Sequence, residues 1–318
     1  MPFDLKTGLT SPSGARLTVH QTQTRRKPVG VVQICHGMVE HAARYGRFAA
    51  FLSARGFHCV AHDHRGHGGT TAPDAPRGVF GKHDGADKVI ADVIAVRDRI
   101  DIDFAGLPVI LFGHSMGGLI ALNVLTGHAG RYAGAAIWNA NFSAGLAGKL
   151  ATLLLRWERL RRGSDMPSRL LPKLTFRAWG RQVTDARTEF DWLSRDPDEV
   201  DKYVADPLCG FDASVSLWQD VFDLTFRGAD DAALDPIPRD LPINLAGGEK
   251  DPATFGGKAV TALAQRLEAK GFQRVTAMIY PGTRHETLNE INRDAAMADF
   301  VRWANAALAS QSPRTGAK

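Results

Sequence analysis

The sequence predicts an α/β fold: a mostly parallel central sheet flanked by helices, interrupted once by a helical lid. Three observations carry this. Short runs of buried-strand character recur at Val31, Phe57, Val109, Ala133, Ile243 and Arg274, and helical stretches separate most of them. One run leads through a serine flanked by glycines straight into a helix, in LPVILFGHSMGGLIAL, Leu107 to Leu122. Between Asn141 and Pro236 the alternation of strand and helix stops, and then it resumes.

Val109 to Gly113 reads as a buried parallel strand and Met116 onward as a helix, which puts Ser115 on the turn between them. In such an elbow the backbone at the serine is strained, and strand and helix run so close that only small residues fit two positions either side. Gly113 and Gly117 meet that need, with Gly118 to spare. The hydroxyl is lifted clear of the sheet, and the Met116 amide, at a helix start, points toward any oxygen that becomes negative there. A phosphate-binding turn is the competing reading, but the stretch lacks the Lys and Ser/Thr of a phosphate loop. A serine so placed is primed to attack a carbonyl, and it requires a base, an acid and a second oxyanion donor from elsewhere in the chain.

The 318 residues, 44% apolar and 23% charged, suffice for one large core carrying an insertion, or for two domains. Neither end shows a basic segment followed by an apolar run and a cleavage site, and no apolar stretch approaches the ~20 residues that cross a bilayer. A soluble, cytoplasmic protein is therefore expected. Cys35, Cys59 and Cys209 are odd in number and widely spaced, which argues against a disulfide framework and against a zinc knuckle. The first two read as buried strand residues. A net charge of +5 gives no ground for a nucleic-acid partner, and none is expected.

Taken in order, Phe3 to about Gln23 predicts an edge hairpin around Ser11-Pro12-Ser13-Gly14. The first buried strand, from Val31 to Cys35, ends in His36-Gly37-Met38, and a helix is expected from about Glu40 to Arg55. Gly37 lets the backbone turn sharply, so that the Met38 amide can serve as the second oxyanion donor. The strand Phe57 to Asp63 runs into Asp63-His64-Arg65-Gly66-His67-Gly68-Gly69. With His62, this cluster resembles a binuclear metal site. The glycines suit a loop, however, Arg65 repels a cation, and the serine elbow already supplies a nucleophile. No metal and no cofactor is expected, and Asp63 and Arg65 read as tying the loop together by charge-assisted bonds. Asp84 to Ile102 predicts a crossover helix, and Ala133 to Trp138 a strand that ends in Asn139 and Asn141 rather than in a carboxylate.

Residues 1–140 and 236–310 are thus expected to form the core, 141–235 the lid, and 311–318 a loose tail. Four of the six tryptophans, Trp157, Trp179, Trp192 and Trp218, fall in the lid and point to a large apolar contact surface. Lys149 to Arg187 holds ten Lys and Arg against three Asp and Glu, whereas Glu189 to Asp235 is acidic. Leu146, Leu150, Leu153, Leu154, Trp157 and Leu160 recur at helical spacing, with Lys149, Arg156, Arg159 and Arg162 on other faces. This amphipathic basic helix is expected to lay its apolar side over the pocket. Peripheral docking on anionic membrane through Lys149 to Arg187 is the second reading.

Beyond the lid, the strand Ile243 to Ala246 leads into Gly247-Gly248-Glu249-Lys250-Asp251-Pro252, then a helix from about Gly257 to Lys270. The last strand, Arg274 to Tyr280, precedes Pro281-Gly282-Thr283-Arg284-His285-Glu286, and a closing helix runs from about Arg293 to Ala309. Serine, acid and histidine then each follow the C-terminal end of a strand, the edge where open parallel sheets bind ligands. Of the eleven histidines, His285 alone follows the final strand downstream of a suitable acid. Asp251 is preferred to Glu249 because the loop must extend a few residues past the strand to reach the imidazole. The order Ser115, Asp251, His285 matches the α/β-hydrolase fold.

The stretches HGMVEHAARYGRFAAFLSARGF (His36 to Phe57), DHRGHGG (Asp63 to Gly69), GHSMGG (Gly113 to Gly118), ADPLCG (Ala205 to Gly210), GGEKDP (Gly247 to Pro252) and HETLNE (His285 to Glu290) span most of the chain. Together they resemble the monoacylglycerol lipase and lysophospholipase branch of the α/β-hydrolases. The resemblance implies a serine carboxylesterase that cleaves monoacylglycerols, lysophospholipids or related monoacyl esters, without a cofactor and with a lid lining an acyl tunnel. It implies Ser115, Asp251 and His285 as the triad, with Met38 and Met116 as oxyanion donors. Around these, His36, Gly37, His114 and the lid residues Trp157, Trp179 and Trp218 are the expected substrate contacts. The basic, tryptophan-rich first half of the lid departs from the family pattern and leaves the substrate open. A proline-iminopeptidase-type peptidase is the alternative, kept open by the acidic stretch from Glu189 to Glu199, and a non-catalytic binder on the same fold is a more distant one.

Overall fold

The computed structural model describes residues 3–143 and 145–309; the tail expected over 311–318 lies outside them. Strands β1 (Leu5–Thr10) and β2 (Arg16–Thr22) form the expected hairpin, and β2 runs antiparallel to β4 (Phe57–His62). The remaining strands, β3 (Gly30–Cys35), β5 (Val109–His114), β6 (Gly134–Trp138), β7 (Ile243–Gly248) and β8 (Val275–Tyr280), run parallel with β4. The sheet order is β1-β2-β4-β3-β5-β6-β7-β8. From β3 to β7 every strand residue is buried, because helices cover both faces; this is why these segments read as continuous apolar runs.

The strand order reverses direction between β3 and β5, where an open parallel sheet parts its loops into a crevice. Register does the rest. Cys35 pairs with Gly113, so His36-Gly37-Met38 and His114-Ser115-Met116 leave the sheet side by side.

Helices α1 (Gly46–Ser53), α2 (Gly85–Asp103) and α3 (Met116–His128) belong to the first half of the chain. The helix expected from Glu40 starts late: a 3-10 turn over Ala42–Tyr45 precedes α1. The cause is local. Val39 stands at φ 52° and His41 is extended, while the Glu40 carboxylate turns back to accept from the Gly37 amide at 2.6 Å.

Between β6 and β7 lie α4 (Gly145–Arg162), α5 (Leu171–Leu174), α6 (Phe176–Gly180), α7 (Pro197–Ala205) and α8 (Val215–Ala229). Helix α8 packs on α2 and α3, and Asn123 Nδ2 donates to the Leu224 carbonyl at 2.9 Å. The last helix of the expected lid is thus part of the layer that covers the sheet. α9 (Lys258–Ala269) completes that layer, and α10 (Arg293–Ala309) joins α1 on the opposite face around Phe48, Phe112, Trp138 and Phe300.

Helix α4 corrects one expectation in part, since of its apolar stripe only Leu150 and Leu154 line the cavity beside Ser115. Its leucine stripe faces mainly outward, with Leu146 80%, Trp157 51% and Leu160 88% exposed. The buried side is Gly148, Leu155 and Glu158, and α4 packs on α8. The Glu158 carboxylate is satisfied by Ser168 Oγ at 2.6 Å and the Arg169 amide at 3.0 Å. The acidic half docks the insertion on the core instead. Glu199 pairs with Arg47 and Asp196 with Arg293, both at 2.6 Å, and Arg195 pairs with Glu290 at 2.8 Å.

In the loop after β4, Asp63 accepts from the amides of Ala42 at 2.9 Å and Gly69 at 2.8 Å, and fully buried Arg65 binds Asp92 at 2.9 Å. His36, His62, His64 and His67 are buried around it. Desolvation lowers the His36 pKa to about 3 and those of His62 and His67 to about 4. Their folded values lie below the ordinary 6.5, so between pH 6.5 and about 4 the unfolded chain binds more protons. Stability is therefore expected to fall as pH drops through that window, by up to about 1.4 kcal/mol per histidine per pH unit. Urea midpoints measured across it check this, and a flat profile would mean that the imidazoles are not held neutral.

Candidate active site

Ser115 stands at φ 54° and ψ −120°, a backbone conformation that an L-residue holds only when its surroundings enforce it. They do. A Cβ on Gly113 would sit 2.2 Å from the Gly117 carbonyl oxygen, and one on Gly117 would sit 2.1 Å from that of Cys35. Gly118 is not spare either, since a Cβ there would meet Ala140 Cβ at 2.8 Å. The Ser115 amide donates to the Trp138 carbonyl at 2.9 Å, which ties the elbow to the neighbouring strand.

The fold brings Ser115, His285 and Asp251 together from the ends of β5, β8 and β7. His285 Nε2 lies 2.9 Å from Ser115 Oγ, and His285 Nδ1 lies 2.9 Å from Asp251 Oδ1. Asp251 is fully buried and accepts further from the Ala253 amide at 2.9 Å, Thr254 Oγ1 at 2.8 Å and Asn139 Nδ2 at 3.1 Å. Burial works to raise its pKa, but His285 and the hydrogen bonds from His285, Asn139 and Thr254 outweigh it and hold the carboxyl below its usual value. A carboxylate only accepts, so Nδ1 of His285 carries the proton and Nε2 is left to accept from the serine hydroxyl. Glu249, the competing acid, accepts instead from the Gly282 amide at 2.8 Å.

Several members of the site were not visible in the sequence. Asn139, at φ 52°, holds Asp251 and is itself held by Thr287 Oγ1 at 2.9 Å. Its only signal was its place at the end of a strand. Glu40 accepts from the Gly37 amide, from Tyr45 Oη at 2.8 Å and from Arg44 at 2.6 Å, and Arg44 grips Glu286 with two bonds at 2.5 and 2.6 Å. Burial works to raise the Glu40 pKa, and Arg44 with His114 brings it well below the usual carboxylate range. His114 Nε2 lies 3.0 Å from the His285 carbonyl oxygen. The loop before Met38 and the loop carrying His285 are thus braced by one ionic cluster.

Beside Ser115 opens a cavity of about 720 Å³. Gly37, Met38, His114 and Met116 line its floor, and Leu150, Leu154, Phe176, Trp179, Trp192 and Trp218 its walls. Two expected contacts do not reach it. His36 is fully buried, with Nδ1 2.7 Å from the Gly37 carbonyl and Nε2 accepting from the His64 amide at 2.9 Å. Trp157 lies on the outward side of α4, beneath the Arg161 guanidinium. Trp192, which was not singled out as a contact, lies tilted against the His285 ring with centroids 5.0 Å apart. Among the described residues, the carboxylates on the cavity wall are Glu40, Glu189, Asp212 and Glu286.

The family described as Hydrolase_4, serine aminopeptidase S33, matches residues 26–292. Human monoglyceride lipase is 28% identical over 208 residues, 65% of this chain and 61% of the human protein, so the match spans about three fifths of that relative's length. A monoacylglycerol lipase of Mycolicibacterium smegmatis is 27% identical over 305 residues, covering 91% of this chain and 93% of that protein. Among solved structures, a thermostable carboxyl esterase from Bacillus coagulans, in complex with glycerol, superposes with a TM-score of 0.86 at 25% identity, over 97% of this chain and 99% of the esterase. The chain belongs to the Hydrolase_4 (serine aminopeptidase S33) family and is an α/β-hydrolase similar to monoglyceride lipases.

Proposed function

We propose that the chain is a carboxylic ester hydrolase that cleaves monoacylglycerols, lysophospholipids or similar monoacyl esters through an acyl-enzyme on Ser115. The observation that carries this is the hydrogen-bonded series Ser115, His285, Asp251 opening into a large, mainly apolar cavity. Similarity to monoglyceride lipases and to a carboxyl esterase supports it.

In this reading His285 takes the proton as Ser115 Oγ bonds to the ester carbonyl carbon, and Asp251 steadies the imidazolium. The oxyanion sits on the amides of Met38 and Met116. The Gly37 amide is already engaged by Glu40, which leaves Met38 as the donor on that loop. His285 returns its proton to the departing alcohol, water then attacks the acyl carbon, and the acid leaves with Ser115 restored.

A peptidase would need a carboxylate within the cavity to hold a substrate amine. Glu40 and Glu286 are joined through Arg44, and Glu189 and Asp212 are exposed at the rim. Within the stretch Glu189 to Glu199 that kept this alternative open, Asp196 and Glu199 dock the insertion on core arginines, and Asp191 accepts from the Arg187 and Thr188 amides. The interior therefore favours an uncharged acyl chain.

The outward leucines of α4, flanked by Lys149, Arg156 and Arg159, fit a cytoplasmic enzyme that reaches its substrate by resting on an anionic bilayer. Among the described residues no helix is long and apolar enough to cross one.

Ser115→Ala is expected to lower turnover by on the order of 10⁴ to 10⁶ with folding intact. The assay uses monoacyl esters from acetyl to palmitoyl, and serine-dependent rates should climb with chain length; unchanged turnover in the variant would end the assignment. Glu40→Gln removes the charge that holds the Gly37 amide and is expected to lower kcat by about 10²-fold with KM nearly unchanged. A KM effect alone would show that the cluster binds substrate rather than positions the oxyanion loop. Sedimentation with anionic vesicles should bind the chain at low salt, and the double variant Leu153→Ser, Trp157→Ser should lose that binding. Equal binding by the variant would remove α4 as the docking element.

A further inference from the structure

A second cluster of reactive side chains stands where the insertion meets the core. A ring nitrogen of His41, a carboxylate oxygen of Asp206 and Cys209 Sγ all lie within 4.8 Å of one another, the one such group of three metal-ligating side chains among the described residues. We propose that His41, Asp206 and Cys209 form a binding site for a zinc-class divalent cation that clamps the insertion to the loop after β3. The inference rests on these three residues and is independent of the ester-hydrolase reading.

The donor set selects the cation. Imidazole, thiolate and carboxylate together suit Zn²⁺, which binds sulfur at about 2.3 Å and nitrogen or oxygen at about 2.0 Å, whereas Mg²⁺ and Ca²⁺ prefer oxygen alone. Three protein ligands leave the fourth tetrahedral position to water. A tetrahedral zinc sets its ligand atoms about 3.5 Å apart, so from separations within 4.8 Å the approach to Cys209 closes by about 1.3 Å at most, while the His41–Asp206 pair, at 2.8 Å, opens by about 0.7 Å. His41 and Asp206 now hold each other at 2.8 Å and would exchange that bond for the ion.

The backbone beneath the site is already ordered. Asp206 Oδ1 accepts from the Leu208 amide at 2.8 Å, which leaves Oδ2 toward His41. The Cys209 amide donates to the Asp206 carbonyl at 3.0 Å and the Gly210 amide to the Val39 carbonyl at 2.9 Å, while Tyr203 Oη reaches the same Val39 carbonyl at 3.2 Å. Ligands from both sides of the boundary are thus carried on segments held in register. Asp206 is about a third exposed and gives the ion a way in, and Cys209 lies at the inner end. On binding, the Cys209 S–H bond breaks, its proton passes to solvent, and a Zn–S bond forms; thiolate and carboxylate then balance the charge of the dication.

The test uses the full-length chain, with Zn²⁺ and Co²⁺ as the probes. Equilibrium dialysis with metal analysis should give one zinc per chain, thermal unfolding should shift upward with zinc, and the cobalt form should show a thiolate-to-metal charge-transfer band. Cys209→Ser should lose the band and bind zinc at least tenfold more weakly. Asp206→Asn, which keeps the side-chain volume, should also bind at least tenfold more weakly and carries the test if the first variant does not fold. Cys35→Ser, in the sheet interior, should leave both readouts unchanged. No zinc retained by the wild type, or equal retention by Cys209→Ser and Asp206→Asn, would overturn the proposal. So would zinc that is lost from His285→Gln but kept by those two variants, because the ion would then sit on the triad.

Discussion

The approach of α3 to β3 and β5 is the constraint on which the rest depends. The carbonyl oxygens of Cys35 and Gly117 occupy the places where side chains at 117 and 113 would stand. That contact holds Ser115 at a strained positive φ and aims its hydroxyl out of the sheet edge. Strain of this kind costs on the order of 1–3 kcal/mol and persists because the surrounding strands are buried along their whole length. A mobile sheet could not hold the geometry, and a looser helix would release it.

A second layer of organisation is ionic. Glu40, Arg44 and Glu286 are all buried or nearly so, and a charge taken from water is tolerated only where its partners are complete. Here they are. Glu40 spends one oxygen on an amide and a tyrosine and the other on Arg44, and Arg44 meets Glu286 through both of its terminal nitrogens. The cluster joins two loops that are distant in sequence, one leading to Met38 and the other carrying His285. Removing one member would leave an uncompensated charge close to Ser115 and His285, so the cluster couples stability to geometry.

The insertion divides its labour by charge. Its acidic half meets core arginines, and Trp192, Leu193, Tyr203 and Cys209 pack together behind that contact. Its basic half carries α4, which offers leucines to the outside while Leu150 and Leu154 reach the cavity rim. One helix can therefore contribute both to the cavity wall and to an outer apolar surface, because 3.6 residues per turn spread six apolar positions over more than one face.

Much of the core was legible in the sequence. Continuous apolar strands, the serine between two glycines and the order Ser115, Asp251, His285 follow from local sterics and periodicity, which neighbouring residues state directly. Asp251 over Glu249 followed from reach alone. The sequence could not state what depends on partners far along the chain. Glu158 is a charged residue on the buried side of α4 because Ser168 and Arg169 satisfy it, and the leucine stripe therefore turns outward. His36 leaves the cavity because His64 takes its ring nitrogen, and Asn139 enters the site because Asp251 and Thr287 arrive from β7 and β8. The sequence by itself thus determined the sheet, the elbow and the identity of the groups around it, because those rest on short-range backbone geometry. Only the tertiary structure decided which side of each helix of the insertion is buried, which tryptophans face the cavity and which carboxylates are neutralised, because each depends on desolvation balanced by a partner that the fold alone brings near.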